Sequence, residues 1–425
     1  MKHMKSLRLG LVGLALTVQP LFSFAPSTGA RSFDQALRPA VIESKKYHVR
    51  VGMESSTAVR PYNMDSRRCD PLRVYDDSEA TLMMLRNPLS DRRAAADDEL
   101  RRMANAADDG VRGHMRLSGS YNEISIMPSA GAWVELKGLP GAFGLDVHVP
   151  IVRKQVSIAA MEDLTNTTNF PRREDDAVAR RMPFIRNFMD QNGRLNTENV
   201  TATGLGDMAV ILAWRNYFKQ DKELIRGVEL FAQTGINLPT GKEREEDRAF
   251  SMALGSDAAF GIPVGLGLNV EFINTFKAGL NVDFLAYLDK TRERRLKTLA
   301  PQTELFLLNK GKATKDYGLN WQFYLYLQSY HFVGGLSAKA AYQYLRHDAD
   351  KLTPRDNGFS YDVINTSKRL SEWYAHNVIF SLDYDHVGSG DPLVTPQLGL
   401  FYKLPVGGKG VLGMQSVGVN LGANF

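Results

Sequence analysis

The chain has 425 residues, 52 Lys plus Arg against 47 Asp plus Glu, and a formal net charge of +5. Hydrophobic residues at 44% and aromatics at 10% exclude wholesale disorder. No run of ~20 apolar residues follows the N-terminus, which excludes a polytopic α-helical membrane protein. The charge excess is too small for this length to point to nucleic acid. Cys69 is the single cysteine, so an intrachain disulfide and the usual Cys/His zinc site are both excluded. No metal or other cofactor is expected. The counts of 36 Gly, 21 Phe and 16 Tyr lean towards an all-β chain with many turns.

Residues 1–25 read as a secretory signal peptide. Lys2, Lys5 and Arg8 precede an apolar run over 9–21, and Ser23 and Ala25 form a small-residue cleavage site. Cleavage near Ala30 is the alternative, because Pro26 is a poor first mature residue. An uncleaved anchor is disfavoured, since the run is shorter than the ~20 residues of a span. Residues 26–46 are expected to be a lead or plug on the inner side, and residues 47–425 a single barrel domain.

Apolar and polar residues then alternate with period two along segment after segment, the pattern of strands with one greasy and one wet face. Tyr47, Val49, Val51 and Met53 alternate with His48, Arg50, Gly52 and Glu54. Ile124 to Glu135, Phe143 to Val149, Met208 to Arg215 and Val228 to Asn237 follow the same rule. Residues 254–272 keep phase throughout and are read as one long strand, bulged at Pro263. Ala278 to Tyr287, Leu319 to Gln328, Leu336 to His347, Trp373 to Asp385, Pro396 to Leu404 and Met414 to Phe425 bring the count to about twelve. Long connections (60–113, 161–203, 239–250, 290–316, 348–370) alternate with shorter ones, so both chain ends fall on one side. An even strand number with one set of long loops is the layout of a transmembrane antiparallel up-and-down β-barrel. Closure pairs every backbone group that lipid would leave unsatisfied. Twelve tilted strands give a wall roughly 24 Å across and a bore of roughly 10 Å or less. Tyr374, Tyr384, Trp214, Tyr217, Phe218, Tyr402 and Phe425 lie near strand ends, where aromatic girdles sit.

The last strand ends on Phe425 with no polar tail. It resembles the C-terminal strand of Gram-negative outer-membrane barrels, which implies that Phe425 is read by the barrel-assembly machinery. Two further motifs stand about 30 residues apart. Gly204-Leu205-Gly206-Asp207 opens the fourth strand, and Gly235-Ile236-Asn237-Leu238-Pro239-Thr240-Gly241-Lys242 closes the fifth. The pair resembles the outer-membrane transporter family of the phenol meta-degradation pathway type. The resemblance covers about residues 203–288 and, weakly, the C-terminal half; the first 200 residues do not share it. It implies a channel for hydrophobic or aromatic compounds. The simpler reading of both motifs is structural, a strand entry and a strand exit into a turn.

Thirteen ionisable residues fall on the wet faces and are expected to line the lumen as a filter: Arg50, Glu54, Glu135, Asp146, Asp207, Arg215, Glu229, Asp257, Glu271, Asp283, Lys339, Asp383 and Lys403. Acids exceed bases nine to four, which favours cationic or neutral solutes. For most of them a cross-strand network that stiffens the wall is the competing role. The 290–316 loop is basic, with Arg292, Arg294, Arg295, Lys297, Lys310, Lys312 and Lys315, and suits solvent or lipopolysaccharide phosphates. Within the first long loop, residues 90–107 read as a helix outside the barrel. His386 and Ser389 sit in a turn and match no barrel hydrolase, so no enzymatic activity is expected. The sequence thus predicts an exported outer-membrane channel for passive diffusion of small solutes. Its partners would be lipid, lipopolysaccharide, the assembly machinery, a small solute and, as an oligomer, further copies of itself. A structural or adhesive barrel that displays long loops is the alternative.

Overall fold

The computed structural model describes residues 45–75, 80–81, 114–163, 176–273, 275–385 and 393–425. The signal peptide, almost all of the lead, the helix expected at 90–107 and the turn holding His386 and Ser389 lie outside the described residues. In chain order the strands are β1 (Tyr47–Ala58), β2 (Ala80–Thr81), β3 (His114–Glu135), β4 (Ala142–His148), β5 (Ile151–Asp163), β6 (Val200–Leu205), β7 (Met208–Lys219), β8 (Ile225–Leu238), β9 (Gly261–Phe272), β10 (Phe276–Tyr287), β11 (Lys290–Arg295), β12 (Lys310–Asp316), β13 (Asn320–Val333), β14 (Leu336–His347), β15 (Lys351–Pro354), β16 (Trp373–Asp385), β17 (Thr395–Lys409) and β18 (Met414–Asn424). Helix α1 (Asp176–Gly193) lies between β5 and β6, and the one-turn α2 (Tyr361–Ile364) between β15 and β16.

The sheet closes on itself. β1 pairs with β18 from His48 opposite Asn424 to Ala58 opposite Met414, and with β3 along its other edge. The expected twelve-stranded antiparallel barrel is therefore the fold, with two of its staves interrupted. β4 and β5 keep one register on β3, with Ser129 opposite His148 and Ile126 opposite Ile151, so they are one stave broken at Pro150. Proline has no N–H to give the ladder. β6 and β7 form the neighbouring stave. Between the pairs Ile151–Leu205 and His148–Ala209, two residues of one stave face three of the other, so Gly206-Asp207-Met208 forms a bulge.

Period two sorts the side chains as elementary chemistry demands. Val417 is 56% exposed, Leu325 55% and Leu421 46%, all on the outer surface, whereas Gln322 (0%) and Asp283 (2%) face inward. A belt of bare Val, Leu, Ile and Phe around a closed sheet is the surface of a barrel that spans lipid. Exposed Phe218, Phe276, Phe332, Tyr384 and Phe425 ring the end where Tyr47 and Phe425 lie, here the turn end. Trp321, Phe323, Tyr342, Tyr344, Tyr374 and His376 form an aromatic cluster near the opposite, loop end.

One expected strand is shorter than its pattern. β9 starts at Gly261, not Leu254. Residues 249–259 alternate weakly but are almost all buried, because the connection folds onto the barrel's inner side. Pro263 carries no bulge: β9 pairs evenly with β10 through Pro263 opposite Leu285. Near Pro263 the β8 ladder skips from Thr234–Val264 to Asn237–Gly261, as a missing N–H requires.

Candidate functional site: the lumen and its cap

The inner face has two zones. From the turn end to near the loop-end rim it is polar and cross-linked. Lys403 donates to Glu54 at 2.7 Å, and the Ser56 and Ser416 hydroxyls stand 2.8 Å apart beside them. His48 meets Asp146 at 2.5 Å. Gln233 and Gln322 donate to the two oxygens of Asp283 at 2.8 and 3.3 Å, and Asn377 donates to Gln343 at 2.9 Å. Asn269 joins Tyr326 (2.6 Å) to Glu229 (2.9 Å), and Tyr217 donates to Glu271 at 2.7 Å. Five of these nine bonds skip a strand, and under four of the five the strand skipped offers a glycine. Gln233 on β8 reaches Asp283 on β10 over Gly265 on β9; a Cβ there would lie 2.2 Å from Asp283 Oδ1. Gly131 makes the same space under His48 and Asp146. Glycine thus lets long polar side chains lie flat along the wall instead of filling the bore.

At the turn end these side chains open into a vestibule of about 960 Å³. Glu135, Arg215 and Glu229 line it, together with Trp133, Tyr217 and Lys45. Arg215 stacks over the Trp133 ring at 4.7 Å. Tyr217 thus belongs to the inner mouth and not to the girdle expected of it.

At the loop-end rim the lining turns apolar. Met115, Leu117 and Tyr121 of β3, Val156 of β5, Val200 of β6 and Met414 of β18 form one buried cluster with residues of four connections. Those are Leu72, Val74 and Tyr75, then Ile185, Phe188 and Met189 of α1, then Ala249, Phe250 and Met252, and finally Leu305, Phe306 and Leu308. Phe250 and Phe306 meet edge to face at 6.1 Å. A second cluster joins Ile211, Leu285, Tyr287, Leu345 and Trp373 of the wall to Tyr62, Ala259 and Val411. The long loops therefore pack as a cap across the mouth, on a greasy inner rim that replaces the polar lining.

Charged residues bolt the cap. The 290–316 loop is not a free basic fringe: β11, β12 and β15 form a three-stranded sheet. Arg292 pairs with Glu246 and Asp257 at 2.5 Å each, and Arg294 with Asp257 at 2.9 Å. Arg295 donates to the carbonyls of Leu307 (2.9 Å), Leu308 (3.1 Å), Gly193 (2.9 Å) and Glu246, tying three connections together. Lys315 pairs with Asp350 at 2.7 Å, and His347 with the same carboxylate at 3.0 Å. The Arg294 and Arg292 guanidiniums hold Asp257 below its ordinary pKa although burial pushes it up. Lys315 and His347 do the same for Asp350.

Of the thirteen residues expected in the lumen, Glu54 and Lys403 pair with each other, and Asp146, Asp283, Glu229 and Glu271 sit in the inner network. Arg50 is buried on β1, Asp383 bonds Ser381 at 3.4 Å, and Lys339 lies 5.6 Å over the Tyr326 ring. Glu135 is exposed at the rim. Two stand elsewhere. Asp257 lies in the β8–β9 connection, where the long strand had been expected, and serves the cap. Asp207 sits in the wall's bulge and is wholly buried, accepting from the N–H groups of Gly241 (2.9 Å) and Ser256. Thr240 also donates to the Gly206 carbonyl at 3.3 Å, so the two sequence motifs meet face to face. Lys154, which the alternation missed, donates to the Ala253 carbonyl at 3.0 Å from β5. Its stave's irregular pattern over 151–163 hid it.

No protein-family model and no curated protein matches the sequence. Among solved structures, the chain is similar to an outer-membrane channel from Pseudomonas putida F1, with 9% identity, a TM-score of 0.49, and 93% of this chain and 98% of that one covered. It is also similar to the transport unit of the autotransporter AIDA-I from Escherichia coli (8% identity, TM-score 0.35, 92% and 94% covered). A third is the Pseudomonas putida toluene transporter TodX (8% identity, TM-score 0.30, 97% and 98% covered). At such values the likeness goes no further than a general shape, and function must rest on the geometry.

Proposed function

We propose that this chain is an outer-membrane channel through which small solutes diffuse passively. The observation that carries this is the vestibule of about 960 Å³ that opens at the turn end, lined by Glu135, Arg215 and Glu229. Beyond it the polar side chains of the inner wall lie over glycines and bond to one another, so the wall's own polar groups are satisfied. Inward Tyr324, Tyr326, Phe401 and Trp133 interrupt the polar lining and favour small aromatic or hydrophobic solutes. The thirteen charges named from the sequence would then bias solute charge chiefly where they reach the vestibule, at Glu135, Arg215 and Glu229.

In this reading residues 1–25 direct export, and Phe425 marks the chain for the assembly machinery. The bare apolar belt meets outer-membrane lipid, the loop end meets lipopolysaccharide, and copies of the barrel can associate through the belt. The turn end faces the periplasm, as short turns do in bacterial barrels. The apolar cap favours the second reading, a structural or adhesive barrel, because it closes the loop-end mouth.

Planar-bilayer recording separates the two. A channel gives discrete unitary currents, and the liposome-swelling assay shows uptake of small aromatic solutes. A barrel that stays silent after its cap is loosened by Arg295→Ala is no channel.

A further inference from the structure

A cavity of about 80 Å³ lies inside the cap, between the first apolar cluster and the β11–β12–β15 sheet. Five cationic side chains line it: Arg244, Arg294, Arg295, Lys315 and Arg369. Two carboxylates line it with them, Glu246 and Asp257, engaged by Arg292 and, for Asp257, also by Arg294. Outside the lining Asp350 pairs with Lys315 and Asp247 with Arg295, which leaves Arg244 and Arg369 as the surplus. Arg244 and Arg369 form ion pairs with no carboxylate among the described residues. Nε and Nη2 of Arg369, and Nε of Arg244 and of Arg294, are buried without a hydrogen-bond partner. Leaving several N–H groups of charged side chains dry and unpaired costs far more than leaving neutral ones.

The cations also oppose one another. Burial first, and then the Arg369 and Arg292 charges, push Arg244 down to about 10, against the pull of Glu246 and Asp257. Burial and the nearby Arg294 push Lys315 down to about 8, against the pull of Asp350. Ser367 and Tyr75 add further polar atoms to the lining. A small half-open space with convergent guanidinium forks and surplus positive charge matches one ligand chemistry, a tetrahedral oxyanion.

We propose that the cap cavity binds an oxyanion of the phosphate or sulfate class, held by Arg244 and Arg369 and bordered by Arg294 and Lys315. The anion supplies the negative charge that the cap's own carboxylates do not. Its source is either the free ion or a phosphoryl group carried on a larger molecule such as a lipid headgroup.

The test uses the full-length chain folded in detergent, with thermal unfolding followed against added sodium phosphate and sodium sulfate, and sodium chloride at matched ionic strength as reference. Phosphate or sulfate is expected to raise the midpoint by several degrees, with half-saturation at least tenfold below any chloride effect. Arg369→Gln and, separately, Arg244→Gln are expected to abolish that shift. Because each removes an uncompensated cation, the anion-free variant should be at least as stable as the parent. A parallel arm adds lipid A micelles with and without their phosphates. A shift from phosphorylated lipid A alone assigns the oxyanion to a headgroup, and a shift from inorganic phosphate assigns it to the free ion. Equal effects of all salts, or shifts that survive in both variants, overturn the proposal.

Discussion

The backbone N–H of Gly241 donates to Oδ1 of Asp207 at 2.9 Å, across 34 residues of sequence. That bond joins the exit of one stave to the bulge of its neighbour, and Ser256 donates to the other oxygen. A carboxylate here acts as a clasp: it satisfies two N–H groups of a connection that then turns inward and seeds the cap. Asp207→Ala should destabilise the protein by about 2–3 kcal/mol, since two charge-assisted bonds go and two buried donors are left alone. The loss should concentrate in residues 239–260, so trypsin should cut at Lys242, Arg244 or Arg248 in the folded variant and spare the parent. Identical digestion patterns would remove the clasp.

Glycine under a spanning bond gives a second expectation. In Gly265→Val the new side chain would occupy the space between Gln233 and Asp283. Overpacking of this kind costs about 1–3 kcal/mol. A lower folded fraction in a heat-modifiable gel shift is predicted, with Gly422→Ala as the control, whose Cβ would meet nothing closer than 3.3 Å. Equal folding of both variants would mean that the flat network adds nothing to the wall.

The two surfaces should respond oppositely to charge. Leu325→Arg places a guanidinium against lipid near mid-stave and should cost ~2–4 kcal/mol in folding into vesicles. Glu135→Arg, at the exposed inner rim, should leave stability within ~0.5 kcal/mol and instead shift the ion selectivity of any conductance towards anions.

The cap should loosen in acid. Asp257 and Asp350 have folded pKa values held below the ordinary 3.8 by Arg294, Arg292, Lys315 and His347. A carboxylate lowered in the folded state stabilises fully above its unfolded value, and that contribution is lost as pH falls through the folded value. Protection factors in 239–260 and 290–316, taken against the intrinsic amide rate at each pH, should therefore be high at pH 6 and fall below about pH 4. At the other end, Lys315 falls from 10.5 to about 8 on folding. The folded state then binds fewer protons than the unfolded one between those values, so this residue adds stability as pH rises from 8 to 10.5. Protection factors that stay constant across the acid range would contradict the assignment of these pairs to the cap.

The wall was legible in the sequence because its physics is local. Period two, an apolar outer face and a glycine-rich inner face are all written within ten or so consecutive residues, as in Val417 to Phe425 or Ile262 to Phe272. The strand number followed from these segments, and the alternation of long and short connections agreed with closure. The cap was not legible. Leu72, Phe188, Phe250 and Phe306 lie far apart in the chain, and nothing near any of them announces a shared cluster. Residues 254–260 show how the local rule misleads: a buried connection and a strand can carry the same apolar spacing. The pairing of Arg292 and Arg294 with Asp257 depends on that fold-back, so the basic loop read as a solvated run. Asp207 was visible as a motif, but its partners, 34 and 49 residues away, were not.

The direct test of the two-faced wall is a spin-label scan of β18 in lipid vesicles, one position at a time from residue 415 to 424, with Cys69 replaced. Oxygen, which concentrates in lipid, should reach labels at 417, 419 and 421, and a water-soluble nickel relaxant should reach those at 416, 418 and 420. Accessibility that failed to alternate, or that alternated in the opposite phase, would contradict a barrel that turns its greasy face to the membrane and its polar face to the bore.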